Sequence, residues 1–503
     1  MKYNIVFILV ILLSFTSCIK KINLYEGKGE DNKENGNGEN DGDADNSTPI
    51  YIYPFEKEVN NITAEITIHT NKELTAKDLA TETPYLKYNK SWLLMLTQDD
   101  CSQSAFCRTW AAINGKTISS STQYPTPTVA DPNSKHDLYF DVRHLYKGDL
   151  PPTVLPADKS LGCTDGTGNE VRFAITTTLA PEEKWMTAES DVKLGFKGNY
   201  YRFYRKSGLI WDNVKEMLNY GTGIAYHNVK ATDEKDPAQI LEHLERSKYF
   251  IDRELAGRVC KLMAEPDGNK AYITAAKQFE DILTMTAQAG ATKLYPFQIA
   301  SDDLHQASIE REFNDSPDYF KTKVNTLLKS PKEQRNAIYI GVHNTDNSWV
   351  DFLTWINDSY GKDGDDSVWF PSQEEYYEYN YLRVHGSSTI EQIAPKTYKL
   401  TIVLPGKENF YYPSTTINVK GLNRSDIVSI ESDGNVTGLS YGQYQNGTML
   451  NIDCRKFLVE HATHFVERYE ADRSDKSKKA DATYFVSMLK DSETKKNLLN
   501  RIN

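Results

Sequence analysis

The spacing of apolar residues changes twice along the chain and divides its folded part into three regions. Residues 50–90 alternate apolar and polar positions, which predicts a small N-terminal β-region of half-buried antiparallel strands. Residues 91–395 show short apolar runs between amphipathic segments, a pattern typical of buried strands that alternate with helices. Residues 396–503 return to alternation and then to helical spacing, which predicts a C-terminal β-sandwich with two terminal helices.

The middle region carries the strongest signal for a fold. Strands separated by helices of this length favour a parallel sheet with crossover helices, and either a closed barrel or an open sheet satisfies the pattern. A stretch rich in Ser, Thr, Pro and Asp interrupts it, followed by the strand-like run from Val171 to Ile175. We interpret residues 117–185 as a long insertion with hairpin character.

Polar residues follow the apolar runs of the middle region, where the strands are expected to end. The run from Trp92 to Leu96 leads to two adjacent acids, Asp99 and Asp100. Later runs lead to His227, then to Glu265 and Asp267, and finally to His343 and Asp346. Because parallel strands end at the same edge of a sheet, we expect these side chains to gather there.

Each of these residues also has a purely structural explanation. An Asp after a strand is often a turn or helix cap, and a lone His is often a hydrogen-bonded loop residue. Taken together, Asp and His ligands without sulfur suit Zn²⁺ or a similar divalent ion. A metal polarises a carbonyl oxygen and lowers the pKa of bound water, while a carboxylate and a histidine move protons. The set therefore predicts metal-assisted hydrolysis of an amide or ester.

The same residues could also belong to a glycosidase. It would pair Asp99 with Glu265 or Asp267 across a glycosidic bond and would need no metal.

The N-terminus has the layout of an export signal. In residues 1–18, Lys2 precedes an apolar stretch too short to span a membrane, and small residues lead into Cys18. This ending resembles a bacterial lipobox, in which Cys18 carries the lipid; a plain secretory signal cleaved near Cys18 is the alternative. We expect an exported, membrane-anchored lipoprotein of the bacterial cell envelope, at the outer membrane or cell surface, that contacts the membrane through its lipid anchor only.

Residues 19–49 predict a disordered acidic tether. The segment from Gly27 to Thr48 contains seven acidic and two basic residues, and Ala44 is its one apolar side chain. It therefore holds −5 of the formal net charge of −12, and the folded body is only mildly acidic. This balance argues against a nucleic-acid partner.

Composition adds two constraints on the folded body. Its 31 Tyr and 7 Trp suit stacking on sugar rings, and we expect a monomer that meets a glycan. Beyond Cys18, five cysteines remain without a CxxC pair, which argues against a thiolate zinc cluster. Cys101 and Cys107 could pair in an oxidising compartment.

The order and contexts of these motifs resemble the NodB-type polysaccharide deacetylases, a carbohydrate esterase superfamily, from about Trp92 to Arg383. The residues that carry the resemblance are Thr97-Gln98-Asp99-Asp100, Gly223-Ile224-Ala225-Tyr226-His227-Asn228, Glu265-Pro266-Asp267-Gly268 and Gly341-Val342-His343. The resemblance implies an α/β fold, a distorted (β/α) barrel of the glycoside hydrolase/deacetylase type with flanking all-β regions.

The resemblance also implies roles for the residues at the strand ends. Asp99 is the general base and His343 the acid, while Asp100 and His227 are metal ligands, with zinc first among divalent ions. Substrate-binding roles fall on Glu265, Asp267 and Asp346.

The chain departs from the family pattern at three points. Gln98 replaces an aromatic residue, and no Arg occupies the third motif. Ala231 stands four residues after His227, where the family has its second metal histidine. Water, Asp233 or, more remotely, His136 would then have to complete the metal shell.

Two functions follow from these observations. The first is a metal-dependent hydrolase that removes acetyl groups from a polysaccharide or oligosaccharide at the cell surface. The alternative is a non-catalytic glycan-binding surface lipoprotein that retains a deacetylase-like barrel. The pair Asp99 and Asp100 favours the first, and Ala231 favours the second.

Overall fold

The computed structural model describes residues 51–116, 118–119, 154–155, 159–187, 208–230 and 234–503. Its strands are β1 Ile62–Thr70, β2 Ala80–Glu82, β3 Trp92–Gln98, β4 Ile118–Ser119, β5 Val154–Leu155, β6 Gly162–Thr164, β7 Glu170–Arg172, β8 Thr176–Thr178, β9 Gly223–Ala225, β10 Leu262–Ala264, β11 Thr284–Ala287, β12 Ser308–Glu310, β13 Glu312–Phe313, β14 Ile338–Val342, β15 Val368–Trp369, β16 Ser387–Ala394, β17 Thr397–Leu404, β18 Ser414–Lys420, β19 Ile427–Ser432, β20 Gly438–Tyr444 and β21 Gly447–Asp453. Its helices are Ala111–Ile113, Trp211–Asn219, Pro237–Glu254, Lys270–Ala276, Pro317–Leu327, Asn347–Tyr360, Gln373–His385, Leu458–Glu470, Lys476–Ser487 and Glu493–Ile502, with a π-helical turn at Ala105–Trp110.

The middle region is mixed α/β, as the alternation of strands and helices predicts. One parallel sheet has the order β13-β14-β3-β8-β9, with β15 also paired to β3, and a second has the order β10-β11-β12. An isolated parallel bridge between Tyr226 and Met263 connects the two. Strand β3 lies in the middle of the larger sheet, and all seven of its residues are buried, which explains the apolar run from Trp92 to Leu96.

The predicted insertion ends earlier than its sequence suggests. Strands β6 and β7 form the expected antiparallel hairpin, but β8 pairs in parallel with both β3 and β9. Thr176–Thr178 is therefore a strand of the central sheet, inside the range that we assigned to the insertion. Three consecutive threonines give no apolar run, so pattern alone did not reveal this buried strand.

The N-terminal and C-terminal β-regions build one sandwich together. Strand β1 pairs with β17 and β19 in a sheet of order β16-β17-β1-β19, and β2 joins a second sheet of order β2-β18-β21-β20. Apolar side chains of both sheets form one cluster, with Ile66 and Leu400 from the first and Val419 and Leu450 from the second.

Three helices follow the sandwich, where the sequence predicts two. The third helix, Glu493–Ile502, buries only the side chains of Leu498 and Ile502. Two apolar positions among charged residues do not form a helical pattern that can be recognised in the sequence. The first two of these helices pack on the α/β core, where the rings of Phe465 and Phe485 both contact Tyr220. None of the helices in the described ranges is long and apolar enough to cross a membrane.

Several residues named from the sequence lie outside the described residues. They are the export segment with Cys18, the tether, His136, Ala231 and Asp233. Cys101 and Cys107 are described, and both are free, buried thiols.

Candidate functional site

The two adjacent acids at the end of β3 point into different surroundings. Asp99 is buried and its backbone N–H donates to the carbonyl of Val342, so it still belongs to the sheet. The chain then turns through two residues with positive φ, Asp100 at 60° and Cys101 at 49°. This turn leaves the Asp100 side chain 53% exposed, beside its buried neighbour. One carboxylate is therefore fixed inside the protein and the other faces solvent.

An arginine that the sequence analysis missed holds Asp99 in place. Arg311 lies between β12 and β13, fully buried, and its Nη1 donates to Oδ1 of Asp99 at 2.6 Å. Its Nη2 donates to the backbone carbonyl of Glu265 at 2.8 Å. The signal was present as a lone basic residue within the strand-like stretch from Ser308 to Phe313. The predicted site residues all follow apolar runs, whereas Arg311 stands between two short strands.

His227 follows β9 and meets both carboxylates. Its Nδ1 lies 2.8 Å from the carbonyl of Ala264, which accepts a hydrogen bond and so fixes the orientation of the ring. Its Nε2 is 3.6 Å from Oδ2 of Asp99 and 3.6 Å from Oδ1 of Asp100. The predicted meeting of these three residues is what the structure shows.

The charges of His227 and the two carboxylates influence one another. Burial opposes a charge on His227, but the Asp99 carboxylate and the contact with Asp100 outweigh burial and raise the pKa of the imidazole. The contact with His227 in turn lowers the pKa of Asp100, against the effect of its partial burial. The imidazole of His227 and the carboxylate of Asp100 thus shift each other's pKa values toward their charged forms.

The residues after β10 divide into one buried and one exposed acid. Glu265 is fully buried, and its Oε2 accepts hydrogen bonds from Nζ of Lys270 at 3.0 Å and from the backbone N–H of Gln288 at 3.1 Å. Asp267 is exposed in a turn with φ of 50°, followed by Gly268 with φ of 71°. Of the two acids that a glycosidase could pair with Asp99, Glu265 is buried and already paired with Lys270, whereas Asp267 is exposed.

His343 and Asp346 follow β14 and differ in character. His343 is exposed and its ring packs on Phe313, with centroids 5.1 Å apart and planes inclined by 34°. Asp346 caps the helix Asn347–Tyr360, where its Oδ1 accepts from the backbone of Ser348 at 2.9 Å. This is the structural role that an Asp before a helix usually has.

The donor chemistry of the site suits a divalent ion, but the number of ligands does not. Imidazole and carboxylate are ordinary zinc ligands, and a carbonyl on the far ring nitrogen is the usual support of a metal-bound His. Asp100 and His227 supply two such donors, while Asp99 is committed to Arg311. No group of three or more His, Cys, Asp or Glu side chains in the described ranges is arranged to hold a metal.

Two comparisons relate the whole chain to known proteins. A search of curated proteins finds no match. A family profile described as "Putative polysaccharide deacetylase" matches residues 64–503, which include both β-regions as well as the α/β core. The sequence resemblance stated above is thereby confirmed, and the chain belongs to this polysaccharide deacetylase family.

Proposed function

We propose that the protein is a hydrolase that removes acetyl groups from a polysaccharide or oligosaccharide. The observation that carries the proposal is the convergence of Asp99, Asp100 and His227 beside Arg311 in a member of this family. These residues come from β3, the end of β9 and the link between β12 and β13, and they meet at one edge of the sheets. Catalytic groups occupy this edge in α/β barrels.

A distorted barrel is the architecture we infer for the two parallel sheets. The bridge between Tyr226 and Met263 connects β9 to β10 on one side. On the other side, β12 and β13 are separated only by Arg311, while β12 pairs with β11 and β13 pairs with β14. These two connections support a ring that runs from β3 through β8 to β14 and back.

The proposed roles follow from burial and contacts. Asp99 acts as general base, because Arg311 occupies its Oδ1 and leaves Oδ2 to receive a proton from water. His343 acts as general acid, because it is exposed beside the acid pair on the neighbouring strand β14. Glu265, Asp267 and Asp346 stay candidates for substrate binding; Asp267 is the exposed one of the three.

A divalent ion, with zinc first, is the cofactor we propose, and Asp100 and His227 would hold it. When bound, such an ion polarises the acetyl carbonyl and acidifies water. Two protein donors are fewer than the three of usual catalytic zinc sites, so we expect weak binding unless another group contributes.

The cell envelope is the proposed location. Cys18 would carry the lipid, the acidic tether would hold the enzyme away from the membrane, and a glycan would be the partner of a monomer.

A glycan-binding protein without turnover is the second candidate. Ala231 at the position of the second metal histidine and the shortage of metal ligands among the residues that the structure describes favour it. Such a protein would bind sugar at this site but release no acetate, and this distinguishes it from the first candidate.

Acetate release from acetylated oligosaccharides, together with metal analysis of the purified protein, tests the proposal. We expect release by the wild type, loss of at least about a hundredfold in Asp99→Asn, and a lower metal content in His227→Ala. Asp318→Asn is the matched control, since Asp318 is an exposed acid in the first turn of the helix Pro317–Leu327. Absence of both bound metal and acetate release, with glycan affinity retained in Asp99→Asn, would overturn the enzyme in favour of the binding protein.

A further inference from the structure

A cavity lies at the end of the parallel sheets opposite the acid pair. Its lining includes Arg172, Tyr220 and Arg258, which precede β8, β9 and β10, whereas the acid pair follows β3. The sandwich and the C-terminal helices close its other sides. Its volume of 490 Å³ is within the range of about 300–1,000 Å³ that is usual for sites of small ligands.

The charges around this cavity are balanced. Seven basic and six acidic side chains line it, and most of them are already paired. Lys87 contacts Glu375 at 2.9 Å, Arg455 contacts Asp453 at 2.6 Å, and Lys456 pairs with Glu56. A phosphate or another anion would find a surplus of only one positive charge here, so the chemistry favours a neutral ligand.

The remaining lining is aromatic and rich in amides. Ten Tyr and Phe residues and six Asn residues line the cavity. Phe55 and Phe457 are only partly buried, so their rings retain surface that a ligand can cover. Aromatic faces combined with neutral donors and acceptors suit a ligand with apolar C–H faces and many hydroxyl groups.

We propose that this cavity is a second binding site, separate from the acid pair, for a neutral saccharide. It opens to solvent beside the exposed residues 56–60 and 434–435. Binding there does not require turnover at Asp99. The site would hold the protein on the glycan while another stretch of that glycan meets the acid pair.

Calorimetric titration of the full chain carrying Asp99→Asn tests this site. The probes are four neutral tetrasaccharides, N-acetylchitotetraose, cellotetraose, xylotetraose and mannotetraose, with trigalacturonate as the anionic comparison. We expect saturable binding of at least one neutral probe and weaker binding of trigalacturonate. Phe55→Leu and Phe457→Leu each keep apolar volume but remove a flat face, and we expect each to weaken binding roughly fivefold to tenfold.

Tyr249→Leu is the matched control, because Tyr249 is 52% exposed on the helix Pro237–Glu254 and does not line the cavity. We expect it to bind as tightly as the Asp99→Asn parent. The proposal is wrong if no neutral probe binds, or if both Phe variants bind as tightly as Tyr249→Leu. Acetate release by the wild type is measured separately, so failure of the cavity site and failure of the proposed hydrolase are distinguishable.

Discussion

At the scale of single residues, the buried Arg311 decides how the acid pair behaves. It joins Oδ1 of Asp99 to the carbonyl of Glu265, so one side chain connects β3 to the end of β10. A buried ion pair adds little by itself, but removing one partner leaves an uncompensated charge. The guanidinium is also the better group here, since two of its nitrogens reach two acceptors at once.

We therefore predict that Arg311→Met lowers the free energy of unfolding by about 3–5 kcal/mol and that acetate release falls with it. Arg311→Lys keeps the charge but loses the second hydrogen bond, so its loss of stability is smaller. Urea unfolding measures the stability, and acetate release from acetylated oligosaccharides measures the activity. Equal stability of Arg311→Met and wild type would contradict the role of this pair.

Gly341 determines where Phe313, and with it His343, can lie. The two residues face each other across β13 and β14, and a Cβ at Gly341 would lie 2.4 Å from the ring of Phe313. The ring in turn packs on His343. Glycine is required here because the aromatic ring takes the space that its side chain would fill.

Gly341→Ala is accordingly predicted to cost roughly 1–3 kcal/mol of stability and to displace His343. Adding Phe313→Leu removes the overlap, so we expect the double variant to regain most of that stability but not the position of His343. Thermal unfolding and the pH profile of acetate release check the two effects. Gly434→Ala is the control, as a Cβ there meets nothing within 4 Å; a similar loss in both variants would argue against the overlap.

Prediction from sequence succeeded for some of these residues and failed for others, for a physical reason. Asp99, Asp100 and His227 follow strands, and parallel strands bring their ends together whatever the details of packing. Arg311 lies between two short strands and Gly341 lies within one, and the importance of each depends on which strand is adjacent. Alternation fixes the face of a strand but not its neighbour.

At the scale of elements, buried ion pairs attach the helix Lys476–Ser487 to the α/β core. Asp481 is 3% exposed and pairs with Lys116 and with Arg172, the latter at 2.7 Å. The hydroxyl of Tyr220 donates to the same carboxylate at 2.7 Å. Burial opposes the charge on Asp481, but the two cations outweigh burial and lower the pKa of its carboxyl.

Replacing this carboxylate leaves two buried cations facing each other. We predict that Asp481→Asn lowers the free energy of unfolding by about 3–5 kcal/mol, measured by urea unfolding at neutral pH. Asp472→Asn, at the exposed turn before the same helix, keeps the wild-type stability because its pair with Lys478 is open to water. The attachment would be unimportant if the two variants lost equal stability.

The sequence predicted this region only in part. The amphipathic pattern identified two helices. The ion pairs that attach the second one join it to Lys116 and to β7, which lie more than 300 positions earlier in the sequence. No local pattern carries such a contact. The same limit applies to the sandwich, where β1 pairs with β17 and not with its neighbours in sequence.

At the scale of the whole molecule, the N-terminal segment after residue 50 is held by a histidine pair of the helix Leu458–Glu470. The hydroxyl of Tyr51 donates to Nδ1 of His461 at 3.2 Å, and Nε2 of His461 donates to the carbonyl of Asn219 at 3.0 Å. Tyr51 also stacks on His464, with ring centroids 3.7 Å apart. The hydrogen bond from Tyr51 needs an uncharged His461, because Nδ1 can accept the hydroxyl proton only while it carries none of its own.

Burial lowers the pKa of His464 to about 4 and, with help from Arg455, lowers the pKa of His461 well below its usual value. In the unfolded chain both residues take up a proton near pH 6.5. Below that pH the unfolded state binds protons at these two residues, whereas the folded state does not. The free energy of unfolding therefore falls as the pH drops. His227 acts in the opposite direction, since its pKa is raised on folding.

The free energy of unfolding measured from pH 7.5 to pH 5 tests this account in His461→Gln. Glutamine retains a donor for Asn219 but does not titrate, so we expect lower stability at pH 7.5 and a shallower decline toward pH 5 than in the wild type. His464→Gln should remove a further part of this decline in the free energy of unfolding, because it removes the second residue that takes up a proton only in the unfolded state. A decline as steep in both variants as in the wild type would show that acid acts elsewhere in the molecule, and that the histidine pair holds the N-terminal segment by packing alone.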